Sequence, residues 1–270
     1  MNEEQRKASL KETFNNVAGE YDHKALRFFP ESSRHLASLL HLRGDEQVLD
    51  VATGTGNAAL TLAPLLPHGH VTGIDFSSSM LDQARQKAAA RNIRNVSFVE
   101  MDMQTLDFPS ARFDAALCAF GIFFVEDMEA QLCRMVETVK PGGSIAICNF
   151  CENYFLPQRE LMANRLTRYP VQMPLQTWKR IATEAGCKEL FEKAGLRDIQ
   201  VEQKNMGYFL SNEQEWWDVI WNAGFRRLVS QLAPPDLEQF RKDHLQDVAA
   251  LATPDGIWLD IGVLYTTGIK

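Results

Sequence analysis

The chain has 270 residues, of which 45% are hydrophobic and 23% are charged. These are ordinary values for a globular protein with a substantial core, and they exclude a chain that is mainly disordered. The formal net charge of −7 disfavours nucleic acid as a partner, because a long polyanion is repelled by an acidic surface.

Targeting signals and cysteine usage indicate the compartment. Residues 1–7 contain no apolar core of the kind that a secretory signal needs, and no apolar run approaches the roughly 20 residues that span a bilayer. The five cysteines are Cys118, Cys133, Cys148, Cys151 and Cys187. An odd, scattered set favours a reducing compartment over a disulfide framework, so we expect a cytoplasmic protein without a membrane span.

The predicted elements begin with two amphipathic helices, over residues 3–16 and 31–42, separated by a break at residues 17–23. From residue 48 the pattern changes to short apolar strands that alternate with helices. Five strands are predicted in this part of the chain, over residues 48–52, 71–75, 96–99, 113–120 and 144–150. Such alternation favours a parallel, doubly wound sheet with helices on both faces.

The alternation loosens after residue 150. We expect helices over residues 157–168 and 187–194, a sixth strand over 197–204, and a last strand over 258–266. A helical insertion is predicted over about residues 207–253, and it contains Trp216, Trp217 and Trp221. Core packing is the first interpretation of these tryptophans, and an aromatic wall over a flat substrate is the alternative.

A glycine loop follows the first strand of the predicted sheet. Gly54 and Gly56 lie between that strand and a helix, where glycine allows a ligand to approach the backbone. The spacing Gly54-x-Gly56-x-x-Ala59, with Asp75 19 residues after Gly56, also satisfies the pattern of dinucleotide-binding proteins. The loop alone therefore leaves the cofactor open.

Charge distinguishes the two classes of cofactor. Asp50 directly precedes the glycines, where it would repel the pyrophosphate of NAD but attract the ammonium and sulfonium of S-adenosylmethionine (SAM). Asp75 ends the second strand and can accept hydrogen bonds from ribose hydroxyls. Asp102 follows the third strand and can accept from the adenine amino group, with Met103 over the ring. The acids form a row at the carboxyl edge of the sheet, where open α/β sheets bind ligands.

Ordered motifs over residues 45–150 support this interpretation. They are Asp50-x-Ala52-x-Gly54-x-Gly56, Asp75-x-Ser77-x-x-Met80-Leu81, Asp102, Phe113-Asp114 and Val139-Lys140-Pro141-Gly142-Gly143. Together they resemble the class I SAM-dependent methyltransferases, and among these the ubiquinone/menaquinone-biosynthesis C-methyltransferase group. The resemblance implies a Rossmann-like, seven-strand sheet in the order 3-2-1-4-5-7-6, with strand seven antiparallel and a helical lid.

The resemblance also implies a domain organisation and a set of cofactor contacts. Residues 1–45 would form the lid, and residues 46–270 the SAM-binding domain. Cofactor-binding residues would be Tyr21 in the lid, Asp50, Ala52, Gly54 and Gly56 at the amino-acid moiety, Asp75 at the ribose, Phe76, Met80, Asp102 and Met103 at the adenine side, and Ala119 and Phe120 at the methyl group. The product would be S-adenosylhomocysteine.

Methyl transfer from a sulfonium needs alignment and exclusion of water more than a dedicated nucleophile. An oxygen or carbon acceptor of high pKa would still need a base, for which Tyr21 and His23 are weak candidates and His244 a weaker one. Cys148 and Cys151 have C-x-x-C spacing but no second pair, so we expect packing there and no metal site.

The sequence therefore predicts a methyltransferase with a small, apolar or aromatic acceptor, with both oxygen and carbon attack open. The pairs Phe28-Phe29 and Phe123-Phe124 favour an apolar pocket, and core packing explains them equally well. The alternatives are a catalytically silent SAM-binding protein and an NAD-dependent oxidoreductase. The part of the chain after residue 150 departs from the quinone enzymes, so the resemblance does not carry their substrate to this chain.

Overall fold

The computed structural model describes residues 3–270, which divide into two compact units. The helical unit comprises the chain up to Phe28, Asn153–Leu175 and Asn205–Gly262. The sheet unit comprises Phe29–Glu152, Gln176–Lys204 and Val263–Lys270. The boundary therefore divides the predicted lid of residues 1–45 at Phe28, and residues 29–45 belong to the sheet unit.

The described chain contains nine strands, numbered in chain order. They are β1 (Gln47–Val51), β2 (His70–Asp75), β3 (Val96–Glu100), β4 (Phe113–Ala119), β5 (Val139–Phe150), β6 (Arg197–Asn205), β7 (Tyr208–Leu210), β8 (Ile257–Leu259) and β9 (Gly262–Ile269). Seven of them form one sheet in the order β3-β2-β1-β4-β5-β9-β6. Strands β1 to β5 pair in parallel, and β9 pairs antiparallel with β5. The predicted order is confirmed, with β9 as its seventh strand.

Ten α-helices accompany these strands within residues 3–270. They are α1 (Glu3–Val17), α2 (Phe28–Ser38), α3 (Asn57–Leu62), α4 (Ser78–Ala90), α5 (Met128–Thr138), α6 (Gln158–Leu166), α7 (Glu184–Lys193), α8 (Glu213–Trp221), α9 (Arg226–Val229) and α10 (Pro234–Ala249). Local sequence explains where several of these helices begin. Ser77 and Asp127 cap α4 and α5 by accepting N–H bonds from Met80 and Ala130.

The core of the sheet unit is built on the nearly continuous apolar runs of the central strands. Leu49, Val51, Ile145 and Ile147 are fully buried, as expected where helices cover both faces of a parallel sheet. Because this core holds β1, β2 and β4 rigidly side by side, their carboxyl ends present the following loops along one edge.

The segment over about residues 207–253, where we predict a helical insertion, contains three helices and one short strand. The segment begins with β7 and then forms three separate helices, the last of which starts at Pro234-Pro235, where proline suits a first turn. The predicted last strand of residues 258–266 is also divided. Its first part, β8, pairs with β7, and only β9 joins the large sheet, because Asp260 and Ile261 lie between the two ladders.

The tryptophans of α8 belong to the core of the helical unit. Trp216 is fully buried against Phe155 at 5.8 Å between ring centroids, and Trp217 stacks on Trp221 at 5.8 Å. Trp216 also donates its indole N–H to Nε2 of His244 at 2.8 Å. Packing therefore accounts for Trp216 and Trp217, as predicted. Within residues 3–270, no helix combines the length and apolarity that crossing a bilayer requires.

Candidate functional site

The glycine loop runs from the end of β1 into α3 with an unusual backbone. Ala52, Gly54 and Gly56 all have positive φ, at 56°, 54° and 80°. Thr53 donates its N–H to the carbonyl of Ile74 on β2 at 2.8 Å, which fixes the loop to the neighbouring strand. A positive φ at an alanine is strained and persists only where the surroundings hold it, as they often do at functional sites.

Glycine is favoured at the two loop positions for different steric reasons. A Cβ on Gly54 would meet no atom within 4 Å, so this position faces open space at the carboxyl edge. A Cβ on Gly56 would lie 3.0 Å from Cβ of Ala84 and 3.2 Å from Cζ of Phe98. Gly56 therefore permits close packing of the loop on α4 and β3, whereas only Gly54 leaves room for a ligand beside the backbone.

Asp50 lies at the base of this loop and is 1% exposed. Its Oδ2 accepts hydrogen bonds from the Thr53 hydroxyl at 2.5 Å and from the Ala59 N–H at 3.0 Å, while Oδ1 has no partner within residues 3–270. Burial, with a smaller contribution from the nearby charge of Asp75, raises the pKa of Asp50 to about 7 despite the hydrogen bonds from Thr53 and Ala59, which lower it. A buried carboxylate with one unpartnered oxygen suits a ligand that brings a cation.

Asp75 ties the second strand to the same loop. One carboxylate oxygen accepts from the Gly54 N–H and the other from the Ser77 N–H, both at 2.9 Å. A carboxylate has about four lone-pair sites and is a common acceptor for ribose hydroxyls. Phe76 follows half-buried, whereas the Met80 side chain is 1% exposed and contributes to the core.

Asp102 follows the third strand and starts a short 3₁₀ helix over Met103–Thr105. Its Oδ1 accepts from the Gln104 N–H at 3.0 Å, and Met103 is half-buried beside it. Since β1, β2 and β3 are adjacent and parallel, Asp50, Asp75 and Asp102 follow three consecutive strand ends along one edge. The structure thus brings together the row of acids that the sequence predicts.

Aromatic side chains gather at the ends of the next strands, β4 and β5. Phe120 follows β4 with φ of 54° and packs on Phe29 at 5.2 Å and on Phe150 at 4.6 Å between ring centroids. Phe123 lies 6.3 Å from Phe150. We call these four residues the phenylalanine cluster. Ala119, the last residue of β4, is half-buried directly before it.

The three candidate bases, Tyr21, His23 and His244, belong to the helical unit. Tyr21 packs edge-on against Phe14 at 6.2 Å. His23 accepts the Ala25 N–H on Nδ1 at 3.2 Å and directs Nε2 towards Asp218 at 4.0 Å, so it acts as a helix cap. His244 is fully buried, and burial lowers its pKa to about 4. Structural contacts thus account for both histidines.

The remaining sulfur and metal candidates have packing roles. Cys148 and Cys151 are free and buried, and burial raises the pKa of the Cys148 thiol well above its usual range. Within residues 3–270 no group of three or more His, Cys, Asp or Glu side chains could hold a metal ion. All five cysteines are unpaired, and the cytoplasmic location stays a prediction.

Comparison with known proteins shows the family. Residues 48–143 match a family described as a methyltransferase domain. Over 217 residues the chain is 31% identical to the ubiquinone/menaquinone biosynthesis C-methyltransferase UbiE of Pseudomonas putida. The aligned region covers 76% of this chain and 81% of that protein. The chain belongs to the class I SAM-dependent methyltransferase family. It resembles the UbiE-like group within that family.

Two further matches define how far the similarity extends. A demethylmenaquinone methyltransferase of Deinococcus radiodurans is 36% identical over 146 residues, which are 53% of this chain and only 60% of that relative. The structure of YcgJ from Bacillus subtilis superposes with a TM-score of 0.59 at 19% identity, covering 89% of this chain and 98% of that one. The latter similarity shows the common fold.

SAM is the cofactor of this family, and the residues of the carboxyl edge fit it. The unpartnered Oδ1 of Asp50 suits an ammonium group, and the space beside Gly54 leaves room for a ligand in contact with the backbone. Asp50 disfavours a pyrophosphate, because its carboxylate would repel the phosphate charge. An NAD-dependent oxidoreductase is therefore not supported.

Sequence reasoning missed two residues that hold the loop in place. Thr53 donates to Asp50, and Lys87 of α4 donates to the Thr55 hydroxyl at 3.1 Å and to Oδ1 of Asn57 at 3.0 Å. A hydroxyl three residues after Asp50 is a local signal that could have been noticed. Lys87 lies 30 residues from Asn57, and nothing in the local pattern indicates that contact.

Proposed function

We propose that this protein transfers a methyl group from SAM to a small, apolar or aromatic acceptor by in-line displacement, with S-adenosylhomocysteine as product. The observation that carries the proposal is the placement of the phenylalanine cluster at the ends of β4 and β5, beside the row of acids at the ends of β1, β2 and β3. Polar groups suited to the cofactor and apolar rings suited to the acceptor thus lie side by side along one edge of the sheet.

The acids would bind the cofactor, which supplies a methyl group already activated by its sulfonium. We assign the ammonium to Asp50, the ribose hydroxyls to Asp75 and the adenine amino group to Asp102. Support comes from the unpartnered Oδ1 of Asp50 and from the position of Asp75, which accepts from the Gly54 N–H and so lies against the glycine loop.

The phenylalanine cluster would bind the acceptor and exclude water. Phe29 and Phe120 are 9% and 7% exposed, while Phe150 and Phe123 are half-buried and leave part of their rings accessible. Aromatic rings bind flat ligands in offset or edge-on contacts. Holding an acceptor in line with the methyl group can contribute about 7–11 kcal/mol of barrier lowering, which suffices for much of the catalysis.

The chemistry of the edge favours an acceptor that is itself acidic. Lys87, the lysine at the glycine loop, is engaged with Thr55 and Asn57. The carboxylates of Asp50, Asp75 and Asp102 accept from backbone and hydroxyl donors. An acceptor such as a phenol or an enol loses its proton without a strong protein base. We therefore propose a small acceptor of this kind.

The experiment is a two-stage assay. Calorimetry with SAM, S-adenosylhomocysteine and NADH tests the cofactor, and S-adenosylhomocysteine release over a panel of phenols, quinols and aliphatic amines tests the reaction. We expect SAM binding without NADH binding, and release with aromatic acceptors above all. SAM binding with no release from any acceptor would instead support a catalytically silent SAM-binding protein.

A further inference from the structure

A short 3₁₀ helix lies against the loop between β4 and α5, which carries part of the phenylalanine cluster. It spans Thr177–Ile181 in the sheet unit, and we call it the bridging segment. The Thr177 hydroxyl donates to the Phe123 carbonyl at 2.5 Å. Three residues further on, Nη1 of Arg180 donates to the Glu126 carbonyl at 2.9 Å. The bridging segment therefore holds the backbone of the loop at two points.

The other end of the bridging segment is fixed to β5. Asn149 is 1% exposed, and its side-chain amide donates to the Ile181 carbonyl at 2.5 Å. The Ile181 side chain is also 1% exposed and belongs to the hydrophobic core of the sheet unit. Because Asn149 directly precedes Phe150, this hydrogen bond joins the bridging segment to the strand that carries a second ring of the phenylalanine cluster.

The loop between β4 and α5 has little local structure to fix its own shape. Its 3₁₀ helix, Ile122–Phe124, has three residues and no side-chain hydrogen bond at its N-cap. So short a helix gains little stability from its own hydrogen bonds. Phe123 is half-buried, whereas Ile122 is fully buried, so packing constrains the Phe123 ring less. The position of Phe123 therefore depends on hydrogen bonds from outside the loop, such as the one from Thr177.

We propose that the bridging segment sets the spacing between Phe123 and Phe150, whose ring centroids lie 6.3 Å apart, and so determines the size of acceptor that the phenylalanine cluster admits. It holds one ring through each end, Phe123 through Thr177 and Phe150 through Asn149. Thr177 is thus a positioning residue, because it acts on the acceptor through the backbone of Phe123. This inference rests on the proposed function and adds a determinant of specificity to it.

Three substitutions of threonine isolate this hydrogen bond. Thr177→Val removes the donor but keeps the branched shape of the side chain, so the loop should become looser. Thr177→Ser restores the donor and should behave as wild type. Thr183→Val is the matched control, because the Thr183 hydroxyl lies two residues after the bridging segment and accepts the Gly186 N–H at 3.1 Å as the N-cap of α7. It also loses one hydrogen bond, but outside the loop.

The test titrates toluene and naphthalene into the full-length protein saturated with S-adenosylhomocysteine. We expect Thr177→Val to shift the ratio of the two dissociation constants at least fivefold in favour of naphthalene, because a looser loop admits the larger ring system. Wild type, Thr177→Ser and Thr183→Val should share one ratio, and SAM affinity should be equal in all four proteins. With an active acceptor, KM should rise at least fivefold in Thr177→Val while kcat changes less than twofold.

Arg180→Met removes the second contact with the loop and should shift the ratio in the same direction, so the test does not depend on the stability of Thr177→Val. An equal ratio in Arg180→Met, Thr183→Val and a folded Thr177→Val overturns the inference and leaves the proposed function intact. Failure of the wild type to bind either probe would instead overturn the proposed acceptor site, on which the inference rests.

Discussion

Gly54 offers the sharpest test of the cofactor loop, through the change Gly54→Ala. The new Cβ would meet no protein atom within 4 Å, so the variant should fold. Its φ of 54° is left-handed, and an alanine there costs about 1–2 kcal/mol. The same Cβ would occupy the space beside the Gly54 N–H, which donates to Asp75. We place the amino-acid part of SAM in this space. We expect the dissociation constant of SAM to rise at least tenfold, equivalent to about 1.4 kcal/mol.

Gly142→Ala is the matched control for this experiment. Gly142 has φ of 81°, and its Cβ would also meet nothing within 4 Å, but it lies at the amino end of β5, the opposite edge of the sheet. Both variants should lose similar stability in urea denaturation, and only Gly54→Ala should lose SAM affinity in calorimetry. Equal SAM affinity in the two variants would refute the assignment of the loop.

Asp75→Ala removes the carboxylate that accepts from Gly54 and the proposed ribose contacts, so calorimetry should show at least tenfold weaker SAM binding; unchanged affinity in a folded variant would mean that the ribose lies elsewhere. Burial raises the pKa of Asp50 from 3.8 to about 7, so SAM affinity should fall as the pH drops below 7, and Asp50→Asn should lose this dependence. The unfolded chain ionises Asp50 first, so its contribution to the free energy of unfolding should decline as the pH rises from 3.8 to 7, and the slope should flatten in Asp50→Asn. Burial lowers the pKa of His244 from 6.5 to about 4, so stability should fall as the pH drops through this window. His244→Gln keeps an acceptor for the Trp216 N–H and should retain full turnover, whereas lost turnover in a well-folded variant would assign His244 to catalysis.

Most strands of the sheet could be predicted because they carry a strong local signal, whereas their order was implied by the resemblance to the class I SAM-dependent methyltransferases. Short apolar runs bounded by glycine and polar turns occur at each of β1 to β5, and β-branched residues mark β9. The segment from residue 207 to residue 259 has no such signal. There β7 and β8 are three residues each, and they exist because they pair with each other across about 50 residues of chain.

The steric role of a glycine could not be predicted from its place in a motif. Gly54 and Gly56 are equivalent in the sequence pattern, and both have positive φ. Only the neighbours of each position distinguish them, and for Gly56 these are Ala84 and Phe98, which come from later in the chain. The same holds for His23 and His244, whose Nε2 atoms face Asp218 and Trp216, residues that lie far from them in the chain.

By itself the sequence determined the parallel sheet, the glycine loop and the row of acids, because each depends on residues that are close together in the chain and on strands of fixed direction. Only the tertiary structure decided which face of α2 covers the sheet, and so brought Ser32 to Tyr265 and Phe29 to Phe120. Such contacts depend on packing between segments more than 80 residues apart, and side-chain packing at that separation leaves no periodic signal in the chain.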